Sequence, residues 1–183
     1  SALAAGNGNA APAADVTAPQ LTGTCPPASA AVPSTAVPST AVPSTGSQAE
    51  TGQSAAAAGL GDALAAAVRT EAQTVYGYQV ALPRLAGAAA KSAAKELARH
   101  DALLRGAESL SRQHCSAVPP REAGYTLAPS FLASPAAGLG NLEAAALPVY
   151  GDLVALSEGG TRQWAIAALL GSGKRAVLWG ADP

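Results

Sequence analysis

The stretch HCSAVPPREAGYTLAPSFLASP, His114–Pro135, carries four prolines in 22 residues. Proline lacks an amide donor and clashes with the preceding helical turn, so this stretch continues neither a helix nor a central strand. It divides the second half of the chain into two pairs of helical stretches. The first pair runs near Asp62–Leu82 and Ala88–Arg112, the second near Ala136–Ser157 and Thr161–Trp179. Asp62 is a plausible N-cap, Pro83 sits near the first end, and Gly87 precedes the second stretch. Glu158-Gly159-Gly160 stops the third and Gly180 closes the fourth, while Pro148 should kink the third. No segment shows a clean strand period.

Link lengths then set topology. The links inside the two pairs are about five and about three residues, so each pair is an antiparallel hairpin. The middle link, extended at roughly 3.3 Å per residue, can run the full length of a bundle. One long crossover is the connection used by ferritin-like folds; a simple up-down-up-down bundle does not need it. The expected fold is therefore all-α: a ferritin-like four-helix bundle over residues 56–183.

Residues 1–55 have a different composition. All eleven Lys and Arg lie from Arg69 to Arg175, and all seven aromatics from Tyr76 to Trp179. The first 55 residues are mostly Ala, Pro, Ser, Thr and Gly, with too little large apolar surface to offset ordering entropy. AVPST occurs three times, at Ala31–Thr35, Ala36–Thr40 and Ala41–Thr45. A proline every five residues favours an extended spacer, and Ser/Thr beside Pro is also the composition of O-glycosylated stalks. Residues 1–55 are expected to form an extended tail. With no Met in the chain, a mature product that has lost a targeting segment is expected.

The net charge of −1 supplies no field for nucleic acid or an anionic membrane. No apolar run is long enough to span a bilayer. The two cysteines, Cys25 and Cys115, lack zinc-site spacing, and Cys25 lacks a lipobox. In an exported chain they would form one disulfide; two free buried thiols are the alternative.

One seam places chemistry inside the bundle. Leu64, Val68, Val75, Tyr78 and Leu82 follow heptad steps, and the member that completes the series is Glu71. Glu71 lies about 15 residues before the first turn and His100 about 14 after it, so both sit at one level. His100 shares a face with Ala93, Leu97, Leu104 and Ala107. On the third stretch, Glu143 flanks the seam of Leu139, Leu142, Ala146, Val149 and Leu153, with Tyr150 one heptad on. Glu71, Tyr78, His100, Glu143 and Tyr150 are the candidate site, a buried polar cluster that could also hold a ligand. Arg162 and Arg175 are further available partners.

EAQTVYGYQV, ARHDALL, PPREAGYTL and LEAAALPVYGDLV, in that order, resemble the actinobacterial ferritin-like domain of unknown function over roughly Leu60 to Trp179. The resemblance implies a ferritin-like bundle in exported proteins and no assigned activity. Ferritin-like oxidases use a Glu on each of two helices and Glu-x-x-His on each of the others. Here Glu96 and His100 are four apart, and the fourth helix has neither carboxylate nor histidine. A dinuclear site is thus not expected; a mononuclear one at Glu71, His100 and Glu143 is the weaker alternative to a purely structural cluster. Lys91, Lys95 and Arg99 read as a solvated face, and Trp164 and Trp179 as packing. There is no Gly-x-Ser-x-Gly, and Gly171–Arg175 lacks phosphate-loop spacing. The expectation is a non-catalytic extracytoplasmic interaction protein without cofactor, an accessory subunit held to a protein partner through its tail and a bundle face. A metal- or small-ligand-binding bundle is the alternative.

Overall fold

The computed structural model describes Cys25 and residues 47–181, with side chains at Cys25 and from 56 to 181. The AVPST repeats lie outside the described residues. Four helices make up the described part: α1 (Ser47–Ala81), α2 (Gly87–Gln113), α3 (Pro135–Leu156) and α4 (Gly159–Leu178). Short 3-10 turns follow α1 at Leu82–Arg84 and precede α3 at Pro129–Phe131. Among the described residues there is no strand.

Three of the helices begin and end within about two residues of the sequence expectation. The exception is the start of α1. It opens at Ser47, not near Asp62, and Asp62 is an exposed mid-helix residue. The alanine run before Gly59 explains this. Once the packed part of a helix exists, each further alanine adds a hydrogen bond at little cost, which outweighs the three glycines Gly52, Gly59 and Gly61. α3 runs unbroken past Pro148.

Contacts fix the directions. Tyr78 meets Glu143 and Glu71 meets Tyr150, so α1 and α3 are antiparallel. His114, capping α2, meets Thr161 at the start of α4, and Gly106 lies against Trp164, so α2 and α4 are antiparallel. α2 and α3 therefore run the same way, as a crossover along the bundle requires. That crossover passes α1 at Gly61, beside Ser116, and again at Tyr76, whose ring centroid is 5.8 Å from that of Tyr125. These points are 15 residues apart on α1, about 22 Å. Arg121 pairs with Glu108 on α2 at 2.7 Å, and Gln73 donates to the Thr126 carbonyl. Phe131 then buries its ring on Gly138 of α3, where a Cβ would overlap it.

The far end of α2 is closed by a Schellman arrangement. Ser116 N–H donates to the Ser111 carbonyl at 2.8 Å and Cys115 N–H to that of Arg112 at 3.1 Å. The left-handed position usually given to glycine is occupied by Cys115, with φ 54°. Its sulfur is joined to Cys25, with Cα atoms 5.4 Å apart. The disulfide ties a residue of the N-terminal segment to the end of α2.

The interior has two apolar halves. One holds Leu64, Val68, Val75, Leu103, Leu104, Leu110, Leu153 and Trp164. The other holds Ala81, Ala93, Phe131, Leu139 and Trp179. Between them lies a polar layer.

Candidate functional site

All five candidate residues meet in that layer, with zero exposure for Glu71, Tyr78, His100, Glu143 and Tyr150. Heptad spacing on α1 aims Glu71 and Tyr78 inward, seven residues apart on one face. His100 on α2 stands between two carboxylates. Its Nδ1 is 2.8 Å from Glu71 Oε2 and its Nε2 is 2.7 Å from Glu143 Oε1. Tyr150 donates its hydroxyl to the other Glu71 oxygen, and Tyr78 donates to Glu143 Oε1 at 2.8 Å.

The fourth helix contributes a cation. Arg175 Nε donates to Glu143 Oε1 at 2.8 Å, and its Nη2 donates to Ser172 at 3.0 Å. Trp179 Nε1 donates to the Tyr78 hydroxyl at 2.7 Å, extending the network by one link. Arg162, the other arginine available from the sequence, points away and donates to the Val154 carbonyl. Sequence reasoning assigned Trp179 to packing alone and missed its donor role. The available signal was its position, one turn after Arg175 on the inward side of α4. Glu96, one turn before His100, is also buried and pairs with Arg99 at 3.2 Å.

The geometry determines the charge state of His100. Both ring nitrogens face carboxylate oxygens, and a neutral imidazole could donate to only one of them. Burial pulls its pKa down, but the hydrogen bonds it donates to Glu143 and Glu71, with the charges of those carboxylates, outweigh burial and raise it to about 9. Burial also pushes Glu143 upward, yet His100 and then Arg175 hold its carboxyl below the usual value. Arg175 is disfavoured by burial but raised by Glu143. Burial, then the adjacent carboxylates, lift both phenols well above the ordinary tyrosine range. With both glutamates ionised, the layer holds two negative and two positive charges, the paired state that buried ions need.

His100 has no lone pair left for a cation, and α4 brings a guanidinium where a dinuclear site needs a ligand. Among the described residues no three His, Cys, Asp or Glu side chains are placed to hold one ion. Glu143 Oε2 is the one acidic oxygen of the layer without a hydrogen bond from the protein. A surface cleft of about 350 Å³ lies between α1 and the crossover, lined by Arg69, Gln73, Pro119, Pro120, Glu122 and Tyr125. No residue of the layer lines it. No described helix is long and apolar enough to cross a membrane.

The fold and this layer can be set beside known proteins. The crystal structure of a conserved hypothetical protein, rv2844, from Mycobacterium tuberculosis is similar, with 27% identity and a TM-score of 0.58. The match covers 72% of this chain and 94% of that one. No curated protein matches. A family model described as a domain of unknown function matches residues 63–183, the whole bundle from the first buried turn of α1 onward. The chain belongs to that family, DUF4439.

Proposed function

We propose that the chain is a non-catalytic structural or interaction module that works outside the cytoplasm, an accessory subunit or partner-binding module of a cell-envelope complex. The observation that carries the non-catalytic reading is the double engagement of His100 by Glu71 and Glu143. An imidazolium stands between the acids, so His100 offers no lone pair to a metal or to a substrate proton. The helix order, with α2 and α3 parallel across a long link, supports a ferritin-like ancestry. On this reading a proton on His100 and the Arg175 guanidinium supply the positive charge that a metal supplies in ferritin-like oxidases. The Cys25–Cys115 disulfide suits an oxidising compartment, and a mycobacterial relative suits an actinobacterial source. A protein partner is held through the N-terminal segment and a bundle face.

The rival reading is a metal- or small-ligand-binding bundle with a degenerate site, favoured by the bare Glu143 Oε2. Calorimetry with iron(II), manganese(II) and zinc(II) on the purified full chain separates the two. The expected result is no stoichiometric uptake and a melting temperature indifferent to chelator. One ion per chain, lost in both Glu71→Ala and His100→Ala, would establish the rival. Cell fractionation tests the location, and recovery from the cytoplasm alone would refute it.

A further inference from the structure

The cleft between α1 and the crossover has walls that the chain itself braces. Gln73 Nε2 donates to the Thr126 carbonyl at 3.2 Å, and the Glu122 N–H donates to the Tyr125 hydroxyl at 3.4 Å. Arg121 reaches the other way and donates to Glu108 Oε1 of α2 from Nε at 3.1 Å and from Nη2 at 2.7 Å. Pro119 and Pro120 stiffen one wall, and the Tyr125 ring, set against Tyr76, forms another. At about 350 Å³ the cleft lies at the lower end of the range that holds small organic ligands.

Two charges of opposite sign line it. Arg69 of α1 and Glu122 of the crossover are both exposed. The residues three and four positions from Arg69 on α1 are Ala65, Ala66, Ala72 and Gln73, so no acid lies within reach on its own helix. Arg121, next to Glu122 in the chain, is committed to Glu108 and does not neutralise its neighbour. Among the described residues neither the Arg69 guanidinium nor the Glu122 carboxylate has a hydrogen-bond or ion-pair partner, and the two do not pair with each other across the cleft.

We propose that this cleft binds a small zwitterion: an ammonium and a carboxylate carried on an apolar or aromatic body, the chemistry shared by free amino acids and short peptides. Arg69 offers the carboxylate two parallel N–H donors, and Glu122 accepts from the ammonium. The prolines and the Tyr125 ring take the body between them. The pairing of signs sets the class of ligand. A simple anion such as phosphate would gain Arg69 but meet Glu122, and a simple cation would gain Glu122 but meet Arg69. A ligand with both charges satisfies both side chains. No residue of the polar layer takes part, and the inference is independent of the function proposed above.

Nuclear magnetic resonance on the isotope-labelled full chain tests it, with phenylalanine and alanylphenylalanine as probes up to about 10 mM. The Gln73 side-chain amide and the Glu122 and Tyr125 backbone amides should shift, with a Kd on the order of 0.1–1 mM for so open a site. The tighter of the two probes identifies the source. N-acetylation and C-terminal amidation of that probe should each weaken binding about two- to fivefold, because each removes one exposed charge contact. Glu122→Gln should abolish the first effect and Arg69→Ala the second, with circular dichroism unchanged, since both side chains lie at the surface. No shift at these amides with either probe overturns the proposal. So does an equal response to the doubly capped probe or to inorganic phosphate. Shifts that survive both substitutions unchanged overturn the assignment of Arg69 and Glu122.

Discussion

Raising the pH should loosen the bundle before the two tyrosines of the layer, Tyr78 and Tyr150, ionise. His100 has an ordinary pKa of 6.5 and about 9 in the fold. A group whose pKa is raised on folding contributes its full stabilisation below the unfolded value and loses it as pH climbs through the folded one. The window is therefore pH 6.5 to 9. The shift multiplied by about 1.4 kcal/mol per unit is roughly 3 kcal/mol. At this chain length 1 kcal/mol moves the melting temperature by about 2–4 °C, so a fall of about 6–12 °C is expected between pH 6 and pH 9.5. Thermal melts followed by far-ultraviolet circular dichroism, at constant ionic strength, measure it. His100→Gln is the control. It should be less stable at pH 6 and should lack this fall. A wild-type melting temperature flat across the window would refute the reasoning, as would an equal fall in the variant, because either outcome means that no proton on His100 bridges the carboxylates.

On the acid side, Glu143 should contribute fully above its ordinary 4.5 and lose that contribution as pH falls through its lowered folded value, so urea midpoints should drop in that range. Glu71→Ala leaves His100 with one carboxylate and Tyr150 with none; about 3–5 kcal/mol of stability should go, equally with and without chelator, read from urea titrations. Cys25→Ser opens a loop spanning 90 positions and should cost up to about 4–5 kcal/mol in the chain-entropy account, while non-reducing peptide mapping of the wild type should recover Cys25 joined to Cys115. Gly106→Ala sets a methyl 3.0–3.2 Å from the Trp164 indole, and its cost of about 1–3 kcal/mol should exceed the gain in helix propensity, seen as a lower melting temperature.

Much of the layer was legible because heptad steps and turn position are properties of the sequence alone. Glu71 interrupts an apolar series, and counting outward from one turn puts His100 opposite it. Tyr78, Glu143 and Tyr150 follow from the same periodicity on α1 and α3. What could not be read is which donor each oxygen takes. Arg162 and Arg175 look alike in sequence, and only the facing of α4 sends one to Glu143 and the other to a backbone carbonyl. The start of α1 was misplaced because alanine runs carry no periodic signal. Asp62 suits an N-cap locally, yet continued helix is the lower-energy choice. The cysteine pairing was open to composition and count, whereas the left-handed backbone at Cys115 had no sequence signature, since glycine is the residue usually found there.

A single atom has mechanical consequences for the bundle. Glu143 Oε1, carried by α3, accepts from Tyr78 of α1, His100 of α2 and Arg175 of α4, all within 2.7–2.8 Å. All four helices are thus pinned at one point near mid-height. Sliding any helix by one residue displaces its donor by about 1.5 Å and breaks the bond. Small rotations about the point stretch the same bonds far less. The oxygen acts as a fulcrum: the helices can splay at either end but cannot shear past one another. Native-state hydrogen exchange should find its slowest amides in the turns around Glu71, His100, Glu143 and Arg175, with protection falling toward both ends of the bundle.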